Sequence, residues 1–202
     1  MMNDCRFETL GTTWLNLVER TIRLGARMGS EGYEWLGVGV AFPATDRTDP
    51  ILEQFGDRSL MVEMERVFFS DAPNALGHSY ANLMQGPESR HDLVDIVALL
   101  RADPWTKRAV VTLCGRGDGR VPCVNVIQFL VREGAVQTAY YARGQDAYRK
   151  FYADGLCLAK MARRVAHGLD LPVGRVTGYL ASSHVYFHDL PAAQGLLASA
   201  SA

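Results

Sequence analysis

The sequence predicts a single α/β (α+β) domain built on a mixed β-sheet flanked by helices. Segments with helical spacing of apolar residues alternate with β-branched runs, and Glu133-Gly134 between two such runs predicts a β-hairpin. A chain of 202 residues with 48% apolar residues is long enough to bury one core. Because no internal repeat or long linker divides the chain, we expect one domain over residues 1–190.

Helices and strands are assigned in chain order from these patterns. Apolar residues recur at helical spacing within residues 12–27, 58–69, 88–104 and 155–169, and the third helix should stop before Pro104. Strands are expected at residues 33–42, 108–114, 123–132, 135–143 and within 174–190. The small and polar residues 191–202 are expected to form a flexible C-terminal tail.

Charge and composition argue against several classes of protein. The formal net charge is −1 and no block concentrates the basic residues, so neither nucleic acid nor a membrane surface is an expected partner. No apolar run approaches the roughly 18 residues of a transmembrane helix, and the first residues lack the order of a signal peptide. Widely spaced cysteines without a C-x-x-C pair indicate free thiols and a cytoplasmic location.

Sequence patterns of several common catalytic sites are also missing. The chain has no G-x-S-x-G motif, and "GRGDGR" at 115–120 lacks the lysine of a phosphate-binding P-loop. Cys114 and Cys123 are nine residues apart, so a zinc site that they would form with His184 and His188 lacks the usual short cysteine spacing. We therefore expect no metal.

Cys123 is the first candidate for chemistry. It follows Pro122 at the entrance of an apolar, β-branched run, where Val or Ala would serve a buried strand equally well. Free cysteines are often inert packing residues, so its role depends on what lies near it. Basic residues near strand ends form either a solvated rim or a phosphate site, since the arginine fork matches phosphate oxygens. These residues are Lys107, Arg108, Arg143, Arg149 and Lys150.

Three segments carry a family resemblance: "VPCVNVIQFLV", "YYARGQDAYRKFYADGLCLAKMARRVAHGLDLPVG" and "SSHVY". In this order they resemble the second half of thymidylate synthases and of the related pyrimidine nucleotide hydroxymethylases. The resemblance covers residues 92–190, and "ALGHSYANLMQGP" resembles a segment upstream. It implies a thymidylate synthase-like fold, a sheet-to-sheet homodimer, a pyrimidine nucleoside monophosphate as substrate, and 5,10-methylenetetrahydrofolate as co-substrate.

The resemblance also implies catalytic roles. Cys123 matches the nucleophile that adds to C6 of the pyrimidine, and Asp146 matches an aspartate near the folate and the base. Tyr80 matches a tyrosine that orders water and assists proton transfer. The family's glutamate corresponds to Glu63 or Glu65, since the helix register is ambiguous there, and Glu63 is the preferred choice.

Substrate-binding roles follow in the same way. Arg143 matches a phosphate ligand, and Lys107 and Arg108 match two arginines that reach across a dimer to the partner's phosphate. His184 and Tyr186 match residues that hydrogen-bond the sugar. Two further positions depart from the family, because Gly144 replaces a serine beside the phosphate and Asp154 replaces the asparagine that reads the base. Asp154 also suits a helix N-cap.

The departures leave three functions open. Val124 replaces the histidine after the nucleophile, Lys107 replaces an arginine, and no counterpart of an N-terminal phosphate arginine is evident. The chain ends soon after His184, which favours addition of water over hydride transfer if it is complete. The preferred function is 5-hydroxymethylation of CMP or dCMP, with a leaning to CMP. The alternatives are a methylase of dUMP or UMP and a non-catalytic nucleotide-binding homologue.

Overall fold

A computed structural model describes residues 3–44, 48–73, 79–85, 92–113 and 121–200. Within these ranges the strands form one eight-stranded sheet in the order β1-β3-β8-β6-β5-β4, with β2 paired to β3 and β7 paired to β8. The strands are β1 (Asn3–Arg6), β2 (Ala26–Met28), β3 (Gly32–Pro43), β4 (Val110–Thr112), β5 (Val124–Arg132), β6 (Ala135–Ala142), β7 (Gln145–Asp146) and β8 (Val173–Tyr186).

Seven helices accompany the sheet in the described part of the chain. They are α1 (Leu10–Leu24), α2 (Pro50–Phe55), α3 (Arg58–Phe69), α4 (Tyr80–Gln85), α5 (Leu93–Ala102), α6 (Phe151–Leu169) and α7 (Leu190–Ala200). Side-chain caps explain several starts, because Thr9, Asp49, Asp57 and Asp92 each accept a backbone N–H of the first helical turn. The four helices that the sequence predicts are all present.

The sheet is mixed, as the sequence predicts. β5 and β6 form the expected antiparallel hairpin, and Glu133 and Gly134 both have positive φ angles, of 54° and 73°, as a two-residue hairpin turn of the I′ type requires. β6 runs parallel to β8, and β1 runs parallel to β3. The mixed sheet and its helices fit an α+β fold.

Helices α1 and α6 cover one face of the sheet. Gly155 permits their close approach, since a Cβ at that position would lie 2.6 Å from a methyl carbon of Leu10 and 3.3 Å from the ring of Phe42. On the opposite face, Tyr141 and Tyr179 stack with their ring centroids 5.9 Å apart and remain about two-fifths exposed, and Leu36 is 60% exposed. Among the described residues, the sheet therefore has one face covered by helices and one face with exposed apolar side chains.

Several element boundaries differ from the sequence predictions, among them the following three. The first helix ends at Leu24, not at residue 27, because the chain turns at Gly25 into β2. The helix predicted at 155–169 begins four residues earlier, at Phe151. Residues 190–200 form α7 where a flexible tail was predicted, because Ala193 is fully buried and Leu196 and Leu197 pack against the core.

Candidate functional site

The candidate site lies at one end of three neighbouring strands. Cys123 directly precedes β5, Arg143 and Gly144 directly follow β6, and His184 lies near the end of β8. The pairing of Val124 with Ala142 and a 3.0 Å hydrogen bond from the Arg143 N–H to the Cys123 carbonyl bring the first two segments together. Segments more than 60 residues apart in sequence therefore meet at this edge because of strand register.

Arg143 holds the loop that carries the candidate nucleophile. Its Nε donates to the carbonyls of Val121 and Pro122 at 3.0 and 3.2 Å, and its Nη2 donates to Val121 at 2.6 Å. The Asn125 amide closes the same loop, donating to the Pro122 carbonyl at 2.8 Å and accepting the Arg143 N–H at 3.2 Å. The guanidinium thus fixes the entrance of β5 and places positive charge near Cys123.

Cys123 is half-buried, and several charges act on its thiol. Burial raises the pKa of Cys123, and the negative charge of Asp154 raises it further. Arg143 and Lys150 oppose both effects by lowering this pKa. The thiolate is the nucleophilic form, so the charge on Asp154 directly affects the reactivity of Cys123.

Asp154 lies inside helix α6, one turn from its start. The N-cap is Lys150, and the Asp154 N–H bonds the Lys150 carbonyl at 2.9 Å, so the alternative interpretation of Asp154 as an N-cap is wrong. Asp154 is 3% exposed, and burial raises the pKa of its carboxyl to about 6. Oδ2 accepts from Gln145 Nε2 at 2.9 Å, whereas Oδ1 is buried and has no hydrogen-bond partner among the described residues.

Tyr80 begins α4 and lies between these groups. Its phenol is buried, and the backbone at Cys123 and Val124 acts on it by lowering its pKa. Burial and the charges of Asp154 and Cys123 raise the pKa of Tyr80 well above its usual range, so the phenol stays protonated. The structure therefore brings Tyr80, Cys123 and Asp154 into one cluster.

Asp146, His184 and Tyr186 form the other side of the site. Asp146 pairs with His184 across β7 and β8, and its Oδ1 accepts the N–H groups of Tyr148 and Arg149 at 3.1 and 2.8 Å. Burial lowers the pKa of His184, which keeps the imidazole neutral near pH 7. Its ring meets that of Tyr186 edge-on at 4.9 Å. An imidazole and a phenol therefore lie side by side at this edge of the sheet.

A cleft of about 420 Å³ lies beside this cluster and includes Lys150, which also acts electrostatically on Cys123. Its walls contain the aromatic rings of Trp14, Tyr148 and Tyr152, together with Glu63. Helix α7 closes one side with Ala192 and Leu196.

The two candidate glutamates on α3 have different surroundings. Glu63 is half-buried at the cleft, whereas Glu65 points outward and forms an ion pair with Lys160. Of the two, Glu63 is the one that lines the cleft, and its role stays a prediction.

Lys107 and Arg108 lie far from the cluster within one chain. The Lys107 carbonyl accepts from Gln128 Nε2 at 2.8 Å, and the Ala109 carbonyl accepts the Phe129 N–H. Because a strand rises about 3.3 Å per residue, four residues along β5 place this contact roughly 13 Å from Val124. The structure of a single chain does not unite these two cations with Cys123.

Sequence reasoning missed Gln145 and Asn125 as members of this site, and it named Lys150 only among the basic residues of a possible phosphate site. Gln145 is 1% exposed, an unusual environment for an amide, and its position between Gly144 and Asp146 was the one available signal.

Within the described ranges, no group of three or more His, Cys, Asp or Glu side chains is arranged to hold a metal ion. Cys114 lies outside those ranges, and Cys157 is buried on α6. None of the described helices is long and apolar enough to cross a membrane.

Comparison with known proteins finds distant relatives that all carry the same name. No family model matches the chain. It is 28% identical over 123 residues to a protein of Methanothermobacter marburgensis named "putative thymidylate synthase", a match that covers 59% of this chain and 55% of the relative. A protein of Methanothermobacter thermautotrophicus with the same name is 24% identical over 162 residues, or 77% of this chain and 63% of the relative.

A third protein of that name, from Methanosarcina barkeri, is 23% identical over 195 residues, or 91% of this chain and 89% of the relative. The chain spans between about half and two thirds of the length of the two Methanothermobacter relatives. Together these similarities support a thymidylate synthase-like superfamily. They do not extend to the hydroxymethylase subtype.

Proposed function

We propose that this protein transfers a one-carbon unit from 5,10-methylenetetrahydrofolate to C5 of a cytosine nucleoside monophosphate, CMP or dCMP, and releases the 5-hydroxymethyl nucleotide. The observation that carries the proposal is Asp154. At the position that the resemblance assigns to reading the base, it has a buried carboxyl with a pKa of about 6 and one oxygen without a hydrogen-bond partner among the described residues. It suits a base edge that offers an N–H donor and an adjacent ring nitrogen able to share a proton.

Cys123 supplies the covalent step. Its sulfur adds to C6, and the electron pair displaced to C5 bonds the one-carbon unit. Loss of the C5 proton and of tetrahydrofolate, addition of water to the exocyclic methylene, and expulsion of the Cys123 thiolate complete the reaction. A proton shared between Asp154 and N3 of cytosine would reduce the negative charge that raises the pKa of Cys123. Recognition of cytosine thereby activates both the ring and the thiol.

The cleft beside Lys150 suits the folate. Its aromatic walls offer stacking surfaces to a flat bicyclic ring, and the carboxylate of Glu63 and the hydroxyl of Tyr148 lie among them. Asp146, which accepts the backbone N–H of Tyr148, would bind between folate and base. Tyr80 would move protons near C5, since its phenol stays protonated beside Cys123.

The sugar and phosphate would bind along Arg143, Gly144, His184 and Tyr186. A Cβ at Gly144 would lie 3.9 Å from the His184 ring, so the glycine leaves open space where a serine would fit. That space supports a ribose substrate and therefore CMP.

Lys107 and Arg108 would reach the phosphate of a partner subunit in a sheet-to-sheet homodimer. Their distance from Cys123 within one chain and the open sheet face with Tyr141, Tyr179 and Leu36 support this arrangement. Mixing Cys123→Ala and Arg108→Ala chains should restore up to about a quarter of wild-type turnover, since a mixed dimer regains one complete site. A verified mixed dimer without activity would show that the phosphate ligands come from the same chain.

Product analysis with four nucleotides tests the proposed function. CMP, dCMP, UMP and dUMP are each incubated with folate labelled at the methylene carbon. We expect label in 5-hydroxymethylcytosine nucleotides, with tetrahydrofolate as co-product. Asp154→Asn should move the preference toward uracil by about 10²- to 10⁴-fold, because mispaired buried polar groups are costly. A wild-type preference for dUMP would refute the cytosine assignment.

The second candidate is a methylase of dUMP or UMP. The shared name of the archaeal relatives favours it. Its product would be the 5-methyluracil nucleotide, and the folate would leave as dihydrofolate because it supplies a hydride. The same assay separates the candidates, because dihydrofolate absorbs at a different wavelength from tetrahydrofolate. A cytoplasmic location remains a prediction for either candidate.

A further inference from the structure

Gln145 and Asp154 form a buried polar pair with two unused acceptors. Gln145 is 1% exposed and Asp154 is 3% exposed, and a 2.9 Å hydrogen bond from Gln145 Nε2 to Asp154 Oδ2 joins them. Among the described residues, three buried side-chain N or O atoms lack a partner, and two of these are Gln145 Oε1 and Asp154 Oδ1. Buried acceptors usually have partners, since an unmade bond costs about 1–3 kcal/mol. Two of them in one pair indicate a ligand that donates twice.

The orientation of the amide follows from charge. An ionised carboxylate only accepts hydrogen bonds, so the Nε2 side of Gln145 must face it and Oε1 must point away. Gln145 lies on β7 between Gly144 and Asp146, and its strand partner is Ser183, directly before His184. The pair therefore lies within the candidate site, and both Cys123 and Tyr80 experience the charge of Asp154.

We propose that Gln145 determines base specificity together with Asp154, holding the carboxylate in place through Nε2 and offering Oε1 as a second acceptor to the exocyclic amino group of the base. This inference rests on the proposed function. The amino group of cytosine carries two N–H donors, which match the two acceptors. Uracil presents the O4 acceptor there, and three acceptors would then face one another without a proton.

The same hydrogen bond affects the titration of Asp154. Donation from Gln145 lowers the pKa of Asp154, and its loss therefore raises that pKa. Other groups around the carboxyl are unchanged by substitution at position 145, so a shift in pH dependence isolates the amide. Those groups are Lys150, Asp146, Cys123, Cys157, Tyr80 and Tyr140.

The test measures dissociation constants for CMP and UMP by calorimetry in the wild type, Gln145→Met and Thr138→Val. Methionine keeps the length of glutamine without its polar atoms. We expect the CMP preference to fall about 10- to 100-fold in Gln145→Met, and the acidic limb of the kcat/KM profile for CMP to move to higher pH. Thr138→Val is the matched control, because it removes the third unpartnered buried atom, and it should leave both readouts unchanged.

A double variant and a second substitution of Gln145 distinguish a specific role of Gln145 from a general loss of structure. Adding Gln145→Met to Asp154→Asn should cost little additional preference if Gln145 acts with Asp154. If Gln145→Met does not fold by circular dichroism, Gln145→Asn replaces it, since the shorter amide cannot reach both partners. An unchanged CMP preference and pH profile in a wild type that prefers CMP would overturn the role of Gln145 alone. A wild type without CMP preference would overturn the proposed function as well.

Discussion

Cys123 and Cys157 both experience the charge of Asp154, yet their surroundings differ. Cys157 is 3% exposed on the covered side of α6, and burial raises the pKa of its thiol far above the usual value. Its charged neighbours Lys160 and Glu65 act in opposite directions and form an ion pair with each other. Cys123 is half-buried and has Arg143 and Lys150 nearby, both of which lower its pKa. The comparison shows that exposure and two nearby cations, not the presence of a thiol alone, distinguish the candidate nucleophile from the buried Cys157.

The largest expected effect is the difference in turnover lost on substitution of Cys123 and of Cys157. Cys123→Ala and Cys123→Ser should each reduce turnover, and release of tritium from C5 of the nucleotide, by at least about 10³-fold, because the covalent adduct is lost. Cys157→Ala should change turnover only a few-fold and act mainly through stability. Nucleotide binding should survive in the Cys123 variants. Tritium exchange retained in Cys123→Ala would remove covalent catalysis from the proposed function.

The next largest effect concerns Asp154, whose negative charge acts on both cysteines. Burial raises the pKa of Asp154 from 3.8 to about 6, so the folded state binds this proton more tightly than the unfolded state. The cost of ionising the carboxyl is absent below about pH 4, develops between pH 4 and 6, and is complete above that range. Asp154→Asn should therefore stabilise the protein by up to about 3 kcal/mol at pH 8 while impairing use of cytosine.

Urea unfolding at pH 4 and pH 8 measures this difference in the free energy of unfolding. Asp92→Asn is a suitable control, because asparagine caps a helix as well as aspartate and Asp92 is only half-buried at the start of α5. We expect the control to stay within about 0.5 kcal/mol of the wild type at both pH values. Equal stabilisation by Asp154→Asn at both pH values would contradict the ionisation argument.

The smallest expected effect is a change in the rate at which Cys123, but not Cys157, is alkylated. Loss of the Asp154 charge lowers the pKa of Cys123, so Asp154→Asn should speed alkylation of this thiol by iodoacetamide several-fold near pH 7.5. Cys157 should remain unmodified in both proteins because burial denies access to the reagent. Mass spectrometry of timed digests assigns the label to each cysteine. Faster labelling of Cys157 than of Cys123 would show that the charge comparison is wrong.

Sequence reasoning predicted elements whose signals are local. The β5–β6 hairpin followed from Glu133-Gly134, and both residues have the positive φ that such turns require. The helix over residues 58–69 has the bounds that its apolar spacing predicted. Helix α7 and the two-residue strand β7 were missed, because short elements and small residues carry little periodic signal and depend on packing against distant segments.

The sequence by itself determined the longer helices and strands and made Cys123 and Arg143 candidates through their chemistry and position, and the family resemblance added the roles of Asp154 and His184. Only the tertiary structure decided the environment of those groups. Asp154 has a pKa of about 6 because strands and helices distant in sequence exclude water from it, and its partner is Gln145, a residue without a sequence signal of its own. Burial and electrostatic coupling depend on distances through space, and register between strands sets those distances.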